Sequence, residues 1–150
     1  MSSLSSPSSS SSSSGRSSFL GSPHFLRRVL WVDAASGAGT AVLHIALADT
    51  LAPLLGLPAP LLLWSGVVLV AFVLSIAWIA SRRTIPAGSV WALIAANTAW
   101  VLGCVALLAS NAVAPTTLGT ASLVVQIVVV GVMVELEWIG VRKIQAQPAW

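Results

Sequence analysis

Six polar residues inside otherwise apolar stretches are the ones whose type and spacing point to chemistry: Asp33, Thr40, His44, Asn97, Gln126 and Glu137. An ionisable group at bilayer depth costs at least ~2.5–3.5 kcal/mol on insertion scales, so its presence needs a reason. Asp33 and His44 are eleven positions apart, which returns a helix to within about 20° of the same face, and Gly37 and Thr40 lie on that stripe. Gln126 and Glu137 repeat the spacing, with Met133 between them, whereas Glu135 points the other way, toward the face of Arg142. The pattern predicts an inner acidic layer (Asp33, Glu137) and an outer neutral layer (His44, Gln126). Ser65 falls near the outer layer, Ser75 near the inner one, and Asn97 near mid-membrane beside Thr98.

Two readings compete for the acids. One is an interfacial salt bridge with Arg27, Arg28, Arg82 or Lys143, whose long side chains snorkel toward headgroups. The other is a cation or proton site. The salt bridge is the cheaper explanation, because acids beside headgroup-level arginines are easily accommodated. For His44 and Gln126 the cheaper reading is an interhelical hydrogen bond worth ~0.6 kcal/mol; the other is a histidine that titrates near neutral pH. Asn97 reads as interhelical glue and Asp49 as a solvated helix end.

Other chemistries find no support. A metal held jointly by Asp33 and His44 fails on distance, since eleven helical residues separate them by ~16 Å. There is no His-Glu-x-x-His or Glu-x-x-His pair, no Gly-rich phosphate loop outside an apolar span, and no nucleophile elbow around any serine. Cys104 is the single cysteine, which excludes an intramolecular disulfide, and it reads as a packing residue. No catalytic, cofactor-binding or metal-ligating residue is assigned, and no cofactor is expected.

The elements that must position these side chains follow from composition. The chain is 57% apolar and 7% charged, against ~25% charged in soluble domains, so a water-soluble globule is excluded. Four apolar stretches, at about 29–50, 61–80, 87–110 and 118–141, are each long enough as helices to cross a hydrocarbon core of ~30 Å. Ser22-Pro23, Pro53, Pro58, Pro60, Pro86, Asn111 and Pro115 punctuate them. Residues 1–22 hold fourteen serines and have little to bury, so they read as a disordered Ser-rich tail. The expected fold is all-α: a four-transmembrane-helix bundle over 23–147, with 148–150 as a short C-terminal end.

Basic pairs set the orientation. Arg27-Arg28, Arg82-Arg83 and Arg142-Lys143 flank alternate connections, while 51–60 and 111–117 carry no Lys or Arg. The positive-inside rule then places both termini and the middle loop in the cytoplasm. Trp31, Trp78, Trp91 and Trp138 fit an inner aromatic belt, and Trp64 an outer one. Seven basic residues scattered along the chain make no nucleic-acid patch. Runs of small residues at 34–41 and at Ala95, Ala99 and Gly103 predict that the first and third spans pack together.

Arg27-Arg28-Val29-Leu30, Asp33-Ala34, Gly37, Gly56-Leu57-Pro58, and Asn97 with Trp100 together resemble a type of small bacterial four-helix inner-membrane protein with no assigned activity. The likeness spans about residues 25–143 and leaves out the serine tail. It implies four helices in a bacterial cytoplasmic membrane and carries over no catalytic or binding residues.

The function favoured at this level is that of a non-enzymatic, multi-pass membrane protein. It would contact the lipid bilayer and act through helix contacts with itself, as a homo-oligomer, or with a membrane-protein partner. The alternative is a small oligomeric proton-linked or cation/solute transporter using Asp33, His44, Gln126 and Glu137. A membrane enzyme acting on lipid or quinone is weakest, because no nucleophile, base and orienting group can be named together.

Overall fold

The computed structural model describes residues 23–110 and 112–146. The serine tail, Asn111 and the last four residues lie outside that range. Five helices follow in order: α1 Pro23–Ala46, the short α2 Ala48–Leu55, α3 Ala59–Ser81, α4 Ala87–Ala109 and α5 Thr117–Gln145. Four of them are long and apolar enough to cross a membrane. In hydrocarbon every backbone polar group must be satisfied within its own segment, which is why such stretches become helices. Large apolar side chains cover the outside, among them Val42, Trp64, Leu74, Leu102 and Val125. Such a girdle has no counterpart on a soluble monomer. The protein is a multi-pass membrane protein, and this surface faces lipid.

Three boundaries differ from expectation. The first span starts earlier, at Pro23, and ends at Ala46. Leu47 then bends the chain (φ −122°, ψ 20°), and residues up to Thr50 belong to α2. The hydrogen-bond ladder runs on through the bend, from Leu47 N to Leu43 O at 3.1 Å and from Leu51 N to Leu47 O at 2.7 Å. At the other end α5 continues beyond Val141, so that Arg142 and Lys143 sit in its last turn, where cations favour the helix dipole.

α1 packs against α3 and α5, α4 packs against α5, and α2 bridges α3 and α5. The small-residue face of α1 therefore meets α3 rather than α4, contrary to the sequence expectation. Gly66 of α3 makes this approach: a Cβ there would come 2.6 Å from Ile45 and 3.3 Å from the Ala41 carbonyl. The small residues of α4 do something else. Nothing lies within 4 Å of a Cβ built on Gly103, and Ala99 and Gly103 border a cavity. Small side chains on α4 thus make space instead of a helix contact.

Each end of the bundle is closed differently. At the end bearing the basic pairs, all four spans contribute to one apolar plug that includes Leu26, Leu30, Ile76, Val90, Leu93 and Val141. Arg82 stacks 3.8 Å over Trp78, and Arg142 lies 5.6 Å from the ring centre of Trp138, which meets Trp91 edge-on. At the far end a smaller cluster holds Leu55, Leu57 and Leu62. Here the C-terminus of α2 is clamped to the start of α5. Thr116 caps α5 by accepting from Gly119 N at 3.1 Å and donates its hydroxyl to Leu54 O at 2.6 Å. Gly56 turns the chain at φ +66°, a left-handed conformation suited to glycine.

Candidate functional site

Just above the basic-end plug, three polar side chains from three helices meet. Asp33 of α1, Asn97 of α4 and Glu137 of α5 are each at most 4% exposed. The Asn97 amide donates to Asp33 Oδ2 at 3.1 Å and reaches toward Glu137 Oε2 at 3.5 Å. Glu137 Oε1 is fully buried and has no hydrogen-bond partner among the described residues. One neutral amide thus serves two carboxyl groups.

Two of the cations that a salt bridge could use, Arg27 and Arg82, are engaged elsewhere. Arg27 donates to the carbonyls of Arg82 (2.5 Å) and Arg83 (3.3 Å), at the C-terminus of α3, where positive charge is favoured. Arg82 and Arg142 lie against tryptophan rings. Among the described residues no ion pair reaches Asp33 or Glu137, and none joins the exposed Glu135 to Arg142. The cheaper sequence reading is therefore replaced by an acid pair without a counter-ion. Burying two carboxylates together without positive charge is prohibitive, so the cluster requires a proton or a cation.

A cavity of about 230 Å³ adjoins Asp33 and Asn97; Glu137 lies behind them and does not line it. Asp33 and Asn97 form part of its wall, with Ser36 and Thr40 one and two turns farther along α1 and Phe72 and Trp100 opposite. Ser36 donates its hydroxyl to the Asp33 carbonyl at 2.9 Å, and Thr40 donates to the Ser36 carbonyl at 3.1 Å. With their protons directed to the backbone, both oxygens remain as acceptors.

A second cavity of about 570 Å³ lies toward the outer layer and shares Val68, Ala96, Trp100 and Gln126 with the first. The Trp100 indole N–H donates to Gln126 Oε1 at 3.1 Å, making a polar bridge at the boundary between the two. His44 lines the outer cavity together with Cys104 and Ser122. Its Nδ1 lies 2.7 Å from Ser65 Oγ. Because the Ser65 hydroxyl donates to Leu62 O at 2.8 Å, Nδ1–H is the donor to Ser65 and Nε2 is left as an acceptor.

Asp33 and Glu137 thus meet in one cluster, and His44 and Gln126 both border the second cavity. The structure joins Asp33 to Glu137 through Asn97, which belongs to the inner layer rather than to mid-membrane. It does not join His44 to Gln126; each has its own neutral partner. Thr40 lines the inner cavity. Phe72, Ser36 and Trp100 are wall residues that sequence reasoning did not select. Ser36 follows Asp33 by three residues, and Trp100 sits mid-span, away from either aromatic belt, so both carried a signal.

No protein-family model, no curated protein and no solved structure matches the chain.

Proposed function

We propose that this protein binds and translocates a proton or a small cation across a bacterial inner membrane, using the Asp33–Asn97–Glu137 cluster as its site. One observation carries this reading: two buried carboxyl groups share a single neutral donor beside a cavity, and no basic side chain neutralises them. Intramembrane acids of this kind are typical of ion and proton pathways. The basic pairs favour cytoplasmic ends for α1, α3 and α5, so the plug faces the cytoplasm and the outer cavity is the approach from the other side. Four helices enclose little space, so the working unit is a homo-oligomer. The test is proton or cation flux into vesicles containing the purified protein. Flux that disappears in Asp33→Asn and Glu137→Gln but persists in His44→Ala supports the proposal; a wild type that moves neither at any pH refutes it.

A scaffold acting through helix contacts with itself or a membrane partner is the second reading. The feature favouring it is that α3 and α4 make little direct contact with each other, which leaves a seam for another helix. That reading expects unchanged assembly and no flux in the wild type and in Asp33→Asn alike.

A further inference from the structure

We infer that the outer cavity binds an uncharged lipophile whose hydroxyl group donates a hydrogen bond to His44 Nε2. This is a second site, and it does not depend on the proposed translocation. His44 is 8% exposed, and its Nδ1–H is fixed on Ser65 Oγ. The Nε2 lone pair is thereby left without a partner among the described residues. Unlike Glu137 Oε1, Nε2 is not sealed off by protein, and the open space that His44 borders is this cavity. A buried acceptor facing a cavity calls for a donor. The serines of the wall cannot supply one, because Ser65 donates to Leu62 O and Ser122 to Gly119 O, both at 2.8 Å.

The rest of the wall selects what carries the hydroxyl. Leu55, Leu57, Leu61, Leu62, Leu107 and Leu123 line much of it, so the body of the ligand is apolar. Water would find too few of the two to four polar partners it needs there. No acidic side chain among the described residues borders the cavity, so an ammonium group would lie buried and unpaired. The volume of about 570 Å³ falls within the ~300–1,000 Å³ typical of small-molecule pockets. Entry is from the bilayer. Both α3 and α4 line the cavity, yet they make little direct contact with each other. Val68, Ala96, Ala99 and Gly103 border it and are exposed, so it opens between the two helices toward lipid. A lipid acyl chain would fill that space but leave Nε2 unmet, whereas a hydroxyl on an apolar body satisfies both.

The experiment is nitrogen NMR of the full chain, isotope-labelled at histidine, in lipid nanodiscs at a mildly alkaline pH where imidazole is neutral. The chain has two histidines, and the exposed His24 is the internal control. The probes are para-butylphenol and octanol, each titrated beside its methyl ether, which keeps the body and loses the donor. A saturable shift of the His44 Nε2 resonance is expected with the hydroxyl compounds, while His24 stays in place. At least one hydroxyl compound should bind about tenfold more tightly than its ether, and the tighter of the two marks the body as aromatic or aliphatic. Gly103→Leu should abolish the response: a Cβ there meets nothing within 4 Å, so the added side chain takes up cavity space. The inference is overturned if the ethers shift His44 equally well, if neither hydroxyl compound gives a saturable shift, or if Gly103→Leu responds like the wild type. The ether comparison uses the unaltered chain and stays decisive if Gly103→Leu does not fold.

Discussion

The inner and outer halves of the bundle both carry polar side chains between helices but treat them differently. In the outer half the buried His44 pairs with Ser65, and the half-buried Gln126 with Trp100. In the inner half two acids compete for one amide, and a carboxyl oxygen is left without a partner. Polar pairs of the first kind are ordinary interhelical glue. An arrangement of the second kind leaves a charge requirement that the chain does not meet, and the cavity at Asp33 and Asn97 is the place the proposed function uses to meet it.

The largest test of this contrast is Asn97→Leu. It removes the one donor shared by both acids and should destabilise the bundle by about 3 kcal/mol, measured by unfolding from mixed micelles with a denaturing detergent. A loss no greater than that of His44→Leu would erase the distinction between the halves. Next is Gly66→Val, which forces side-chain atoms into Ile45 and the Ala41 carbonyl. A cost of about 1–3 kcal/mol is expected from overpacking where α1 meets α3. Glu137→Gln should run in the opposite direction, raising stability by about 1 kcal/mol because it replaces a buried ionisable group that has no counter-ion with a neutral amide, while flux through the site is lost. The smallest effects belong to His44→Leu and Gln126→Leu, at about 0.6 kcal/mol each in the same assay. A much larger loss in either would show that the outer layer does more than hold helices together.

Much of the architecture was legible in the chain. Long apolar stretches between prolines and basic pairs have only one way to satisfy their backbone in lipid, so the four spans appear close to where composition puts them. The eleven-residue spacings also hold, because helical periodicity is a property of the chain itself: Asp33 does share a layer with Glu137. The partners were harder to read. Arg27 stood close enough in sequence to suggest a salt bridge with Asp33, but its guanidinium reaches the carbonyls at the end of α3 instead. Small residues on α1 and α4 looked alike, yet one set admits a neighbouring helix and the other borders a cavity. Which of these happens depends on what the opposing helix presents, and α3 presents Gly66 to α1.

Composition and periodicity thus decide that the chain crosses the bilayer and how far along its helix each acid lies, because rise and rotation per residue are local and unavoidable. The tertiary structure alone decides that Asn97 arrives from a third helix to sit between the acids, and that Arg27 and Arg82 turn to other partners. Those outcomes depend on how four helices are rotated about their own axes, a choice made by close packing between segments far apart in the chain.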